Sequence, residues 1–147
     1  MFVYLNLIVH AMVTFAMTGI IWFVSLVHYP VLKTLSKRQA VIFEAEHWNR
    51  TMRLAVPMLL IELLSAILLV FYRPVGVSVV LPSVGLVLLA AIWISTWSVC
   101  VPCHIHLKNQ YEQKYMTELL SANRFRAIMW SLRTVIVALI LYASIGP

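Results

Sequence analysis

Apolar and polar positions along this chain fall into long blocks, with neither the period of an amphipathic helix nor that of a half-buried strand. Four nearly unbroken apolar blocks, at about residues 7–28, 52–72, 79–101 and 124–142, each approach the twenty or so residues a helix needs to cross hydrocarbon. A helix satisfies every backbone donor and acceptor within one segment, so such blocks are read as helices. The pattern predicts an all-α fold, an integral membrane four-helix bundle in which residues 1–147 form a single transmembrane domain. No Lys or Arg precedes Lys33, and the first block outruns the apolar core of a signal peptide, so it is expected to be retained as a span.

Two polar blocks, 32–51 and 103–123, are expected to add interfacial helical segments on the cytoplasmic side. Leu32, Leu35, Ile42 and Phe43 make a loose helical stripe, and Ser36 is placed to cap a helix running on into the second span. Thr117, followed by Glu118, reads as the N-cap of the fourth. Pro57 removes a donor inside the second span, frees the carbonyl of Arg53 and is expected to kink it. No internal repeat is visible in the residue pattern.

Composition agrees with the blocks: 63% of the residues are hydrophobic and 11% charged, where soluble domains carry about 25% charged residues. A chain of 147 residues with four spans has no room for a separate extramembrane domain. The net charge of +6 reports orientation. Lys33, Lys37, Arg38, Arg50, Arg53, Lys108, Lys114, Arg124 and Arg126 flank one end of the blocks, and only Arg73 flanks the other. Basic loops stay in the cytoplasm, so both termini are expected outside. Tyr4, Tyr72 and Tyr142 would then mark the outer interface, and Tyr29, Trp48, Trp97 and Tyr111 the inner one. These cations are spread over span ends with no reader element, which excludes nucleic acid as a partner.

Candidate chemistry follows from depth. Glu62 and Arg133 both lie roughly 14 to 15 Å inside the basic end at 1.5 Å per residue, so they are expected to pair as a structural ion pair. Asn123, Arg126, Trp130 and Arg133 share one face of the fourth helix, where two guanidinium groups could hold an anionic oxygen. His28, His47, His104 and His106 gather at one level, and Glu44 and His47 have the Glu-x-x-His spacing of bundle metal sites. His28, Glu44, His47 and His104 are thus candidate ligands for a single metal ion, and His28, His47, His104, Arg126 and Arg133 are candidate catalytic residues. His10, about 27 Å from His28 along the first helix, is expected to be a hydrogen-bonded packing residue. Cys100-Val-Pro-Cys103-His104 matches the spelling of c-type haem attachment, but that chemistry belongs outside, and this motif falls on the cytoplasmic side. Haem is therefore not expected, and the two thiols are read as buried packing groups.

The motifs Gly19-Ile-Ile-Trp22, His28-Tyr29-Pro30, Glu44-x-x-His47-x-x-Arg50, Pro57-Met-Leu-x-x-Glu62, Ile92-Trp-Ile-Ser-Thr96, Val101-Pro102-x-His104 and Asn123-x-x-Arg126-x-x-x-Trp130-x-x-Arg133 together resemble a family of small bacterial four-span membrane proteins of unknown function. The resemblance covers most of the chain and departs from the pattern at Arg50 and Cys103. More distantly, the layout is similar to anthrone-oxygenase-like membrane proteins, which act on polycyclic phenolic substrates. The resemblance implies a bacterial inner membrane and a lipophilic small molecule as ligand. The polar residues themselves point to a metal-dependent oxidoreductase in which His28, His47 and His104 supply acid/base or metal chemistry while Arg126 and Arg133 hold an anionic oxygen of a lipophilic substrate. The alternative is a non-catalytic carrier or assembly subunit whose polar cluster is structural; a homo-oligomer is compatible with either.

Overall fold

The computed structural model describes residues 1–145, and among these it contains helices and turns but no strand. The helices are α1 (Phe2–Phe23), α2 (Tyr29–Thr34), α3 (Lys37–Phe71), α4 (Val80–Ser95), α5 (Val101–Leu107) and α6 (Gln113–Ile145). Single π-helical turns, Val24–His28 and Thr96–Cys100, join α1 to α2 and α4 to α5. The result is four continuous rods, Phe2–Thr34, Lys37–Phe71, Val80–Leu107 and Gln113–Ile145, each long and apolar enough to cross a membrane.

The π turns have a local cause. Each opens six residues before a proline, Pro30 or Pro102, at the second position of the following short helix. A proline ring clashes with the carbonyl four residues back and offers it no N–H. Just ahead of the ring the ladder widens by one residue, with Tyr29 N–H donating to the Val24 carbonyl and Val101 N–H to that of Thr96. The chain therefore repeats one plan, long helix, π turn, short helix, long helix, although no repeat is visible in its residues. That corrects the sequence reading: the repetition lies in backbone geometry and proline position.

Ser36 caps α3 with a capping box, its side chain accepting from Gln39 N–H and the Gln39 side chain accepting from Ser36 N–H. α3 then runs unbroken through Pro57. Thr117 is not the cap of α6: the helix begins at Gln113, and Thr117 Oγ1 donates back to the Gln113 carbonyl at 2.9 Å. Ile42 is exposed while Leu32 is buried, so the expected stripe through residues 32–43 is incomplete. At the opposite end, Gly76 takes φ +83° in a turn closed by Val77 N–H to the Pro74 carbonyl at 3.2 Å. Glycine meets that left-handed requirement without strain.

The rods pack up and down in a ring, α1 against α3 and α6, and α4 against α6 and, less closely, α3. Three apolar clusters stack along the axis. Leu7, Leu69 and Ile140 lie towards the Arg73 turn; Met17, Ile21, Leu59, Ile92 and Trp130 lie in the middle; Tyr29, Leu32, Cys100, Leu107 and Leu119 lie at the Lys/Arg-rich end. Polar groups occupy the two gaps. Outwards, large side chains such as Leu26, Leu64, Val87, Ile94 and Val135 are exposed along the whole length.

Candidate functional site

The two polar layers differ in how completely they are hydrogen-bonded. In the layer nearer the Arg73 turn, Glu62 and Arg133 meet across the bundle's diagonal, with Arg133 Nη2 3.0 Å from Glu62 Oε1. Glu62 also accepts from Thr14 Oγ1 at 3.0 Å and Trp130 Nε1 at 3.1 Å. Arg133 spends a further donor on the Gly85 carbonyl. Next to this, Ser65 Oγ donates to the Glu62 carbonyl at 3.1 Å and accepts from His10 Nδ1 at 2.8 Å, and Asn6 donates to the Ser65 carbonyl at 3.1 Å. Both charges are about 1% exposed or less. No buried side-chain nitrogen or oxygen of this layer lacks a partner among the described residues. Arg133, a candidate catalytic residue from the sequence, is thus committed to Glu62 and Gly85 and does not line the cavity below.

The second layer lies towards the Lys/Arg-rich end, where the π turns are. A partly open cavity of about 100 Å³ lies here, walled by Met17, Ile21, Met52, Val56, Leu59 and Trp130 and lined also by His47, Thr96, His104, Asn123 and Arg126. Arg126 Nη1 donates to Thr96 Oγ1 at 3.3 Å and Nη2 to Asn123 Oδ1 at 3.2 Å. Its Nε, although buried, has no partner. Arg126 is therefore anchored within the bundle and does not snorkel away from it. Asn123 in turn donates to Ser25 Oγ at 2.7 Å, which ties α6 to the first π turn.

The histidines stand together as their common level requires. His28 and His47 stack with ring centroids 3.9 Å apart, and His47 and His104 lie 5.7 Å apart. His104 Nδ1 is hydrogen-bonded to Glu44 Oε1, while Glu44 Oε2 and His28 Nε2 are buried without partners. His47 leans on Thr51 Oγ1, 3.2 Å from its Nδ1. His106 points elsewhere, bonded to Glu112 at 2.7 Å and stacked on Tyr115. Among the described residues no three His, Cys, Asp or Glu side chains converge as a metal-ligating set. His28, His47 and His104 form a chain of rings tilted by 35° at each step, and Glu44 spends one carboxylate oxygen on His104. Cys100 and Cys103 are buried in the apolar cluster, and Cys103 Sγ lies 3.9 Å from Glu118 Oε2.

What this arrangement can do chemically is specific. With Glu44 ionised, its carboxylate fixes the proton of neutral His104 on Nδ1 and leaves Nε2 as the basic nitrogen, the geometry of an oriented acid/base imidazole. Arg126 lines the same apolar cavity, and its buried Nε has no partner. Two participants, Thr51 and Thr14, were not singled out from the sequence, and Thr96 entered only as the end of the Ile92–Thr96 motif, with no role attached. Thr14 had a visible mark, since Asn6, His10, Thr14 and Thr18 recur every fourth residue along one face of α1. Comparison with protein-family models, curated proteins and solved structures yields no match.

Proposed function

We propose that this chain is a multi-pass protein of the cytoplasmic membrane which binds a lipophilic molecule through a carbonyl or anionic oxygen and exchanges a proton with it. The Lys/Arg-rich end faces the cytoplasm and both termini face outward, a reading supported by the basic asymmetry of the span ends. α2, α5 and the first turns of α3 and α6 then lie at the inner interface. Arg126 holds the oxygen, and the His104–Glu44 pair gives or takes the proton, with His47 and His28 extending the polar path away from the cavity. An apolar cavity of about 100 Å³ is comparable with the roughly 150 Å³ cavity that admits benzene, so it suits the ring or head of a molecule whose remainder lies between helices.

One observation carries the reading: Arg126, on the cavity wall, has a buried Nε without a partner, as have Glu44 Oε2 and His28 Nε2 beside the cavity-lining His104 and His47 and Trp93 Nε1 on α4, whereas every buried side-chain nitrogen and oxygen of the Glu62–Arg133 layer is bonded. Unpaired buried groups are costly and are retained where a ligand completes them. The oxidoreductase expected from the polar residues is one such chemistry, with a quinone or phenol as the lipophile. Decylubiquinone serves as the probe, its binding read from the quenching of tryptophan fluorescence. Arg126→Gln is expected to weaken binding roughly tenfold, the loss of one charge-assisted hydrogen bond worth about 1.5 kcal/mol, and Arg126→Lys to recover part of it. No quenching by the wild-type chain, or equal affinity in Arg126→Gln, would overturn the assignment.

A further inference from the structure

A second groove lies on the outside of the bundle, between α1–α2 and α6, with a volume of about 410 Å³. It shares Tyr29 and Asn123 with the inner cavity as a common wall, and the Asn123–Ser25 hydrogen bond closes that wall. One end carries Lys33 and Arg124, both exposed and neither engaged in an ion pair among the described residues. The other end is apolar, formed by Trp22, Leu26, Ala127 and Ile128.

We propose that this groove holds one anionic phospholipid of the surrounding membrane, its headgroup phosphate against Lys33 and Arg124 and its first acyl carbons along Leu26 and Ile128. The proposal rests on the membrane reading above but not on the chemistry of the inner cavity. Length favours a lipid over a free phosphate: from Lys33 to Trp22 the rod advances roughly 16 Å at 1.5 Å per residue, far more than a phosphate fills. Charge favours a net negative headgroup, since two unpaired cations face one phosphate and a zwitterionic lipid brings a competing cation of its own. The groove lies alongside the π turn and Pro30, with Ser25, Leu26, Tyr29 and Pro30 in its lining.

The full chain in detergent is offered phosphatidylglycerol or phosphatidylcholine, and retained lipid is counted by native mass spectrometry. One phosphatidylglycerol is expected to be retained in preference to phosphatidylcholine. Lys33→Gln with Arg124→Gln should weaken retention about 25-fold, near fivefold for each surface cation. Lys33→Arg with Arg124→Lys should preserve it, as should Lys37→Gln with Arg38→Gln, which removes equal charge outside the groove. Equal retention by the neutralised variant, no headgroup preference, or full displacement of the lipid by millimolar inorganic phosphate would each overturn the lipid site. Flotation with liposomes is scored separately. A chain that floats without headgroup preference overturns this proposal alone, and one that fails to float overturns the membrane reading with it.

Discussion

Glu62 and Arg133 show what a buried charge requires in this bundle. Arg133 Nε and Nη2 both reach Glu62 Oε1, at 3.2 and 3.0 Å, and the remaining lone pairs and protons find Thr14, Trp130 and the Gly85 carbonyl. Removing one partner leaves the other charge buried and unpaired. Glu62→Ala or Arg133→Ala should therefore each cost about 3–5 kcal/mol, while the double apolar variant Glu62→Leu, Arg133→Met should cost much less. Denaturation in detergent reads the difference, and strictly additive losses would show that the two side chains serve separate partners. Arg126 is the contrasting case on the same helix face, because its Nε is left without a partner. Depth along the helices was enough to pair Glu62 with Arg133 from the sequence, but not to assign their role. Which guanidinium has every nitrogen bonded and which leaves one without a partner depends on the neighbours Thr14, Gly85 and Thr96, and those come from two other rods.

At the level of the helix, the two π turns set the site apart from an ordinary bundle. Each holds one residue more than the α-helix needs, so deletion of a residue there can be absorbed by return to α geometry. Deleting Val27, exposed and within the first π turn, should lower the melting temperature by only a few degrees. Deleting Met12, also exposed but within regular α1, turns the preceding residues by about 100° and takes Asn6 and His10 away from Ser65. That variant should fail to fold stably, and equal melting temperatures for the two deletions would contradict the structural assignment. The rods themselves were legible from the sequence because hydropathy over twenty residues is a single strong requirement. Their ends were not: α1 begins at Phe2, ahead of the polar Asn6 that sets the edge of the first apolar block, and Thr117 carries the right chemistry for a cap at an interior position. A π turn leaves no trace in hydropathy, although Pro30 and Pro102 mark where each one sits.

For the whole molecule, the order of layers connects orientation to function. The polar layer with every buried atom bonded lies nearer the Arg73 turn, and the cavity lined by Arg126 lies nearer the Lys/Arg-rich end, so the proposed site belongs to the inner-leaflet half if basic loops are cytoplasmic. Cysteine labelling tests this cleanly because the native Cys100 and Cys103 are buried. A cysteine placed at Val75 should react with an outside-only reagent and one placed at Lys108 should not; the reverse pattern would invert the orientation. The cavity was not legible in the sequence, since it arises where both π turns, the Asn123–Arg126 face of α6 and the middle of α3 meet, a coincidence of four rods. Photolabelling is the most direct measurement of whether that meeting point binds the ligand. The full chain in bilayers is irradiated with an azido-substituted decylquinone and the modified residues are mapped. Modification concentrated at Met17, Met52, Trp48 and Trp97, and suppressed by unlabelled decylubiquinone, is the expected result. Labels scattered over the outward faces at Leu64, Val87 and Val135, with no competition, would contradict it.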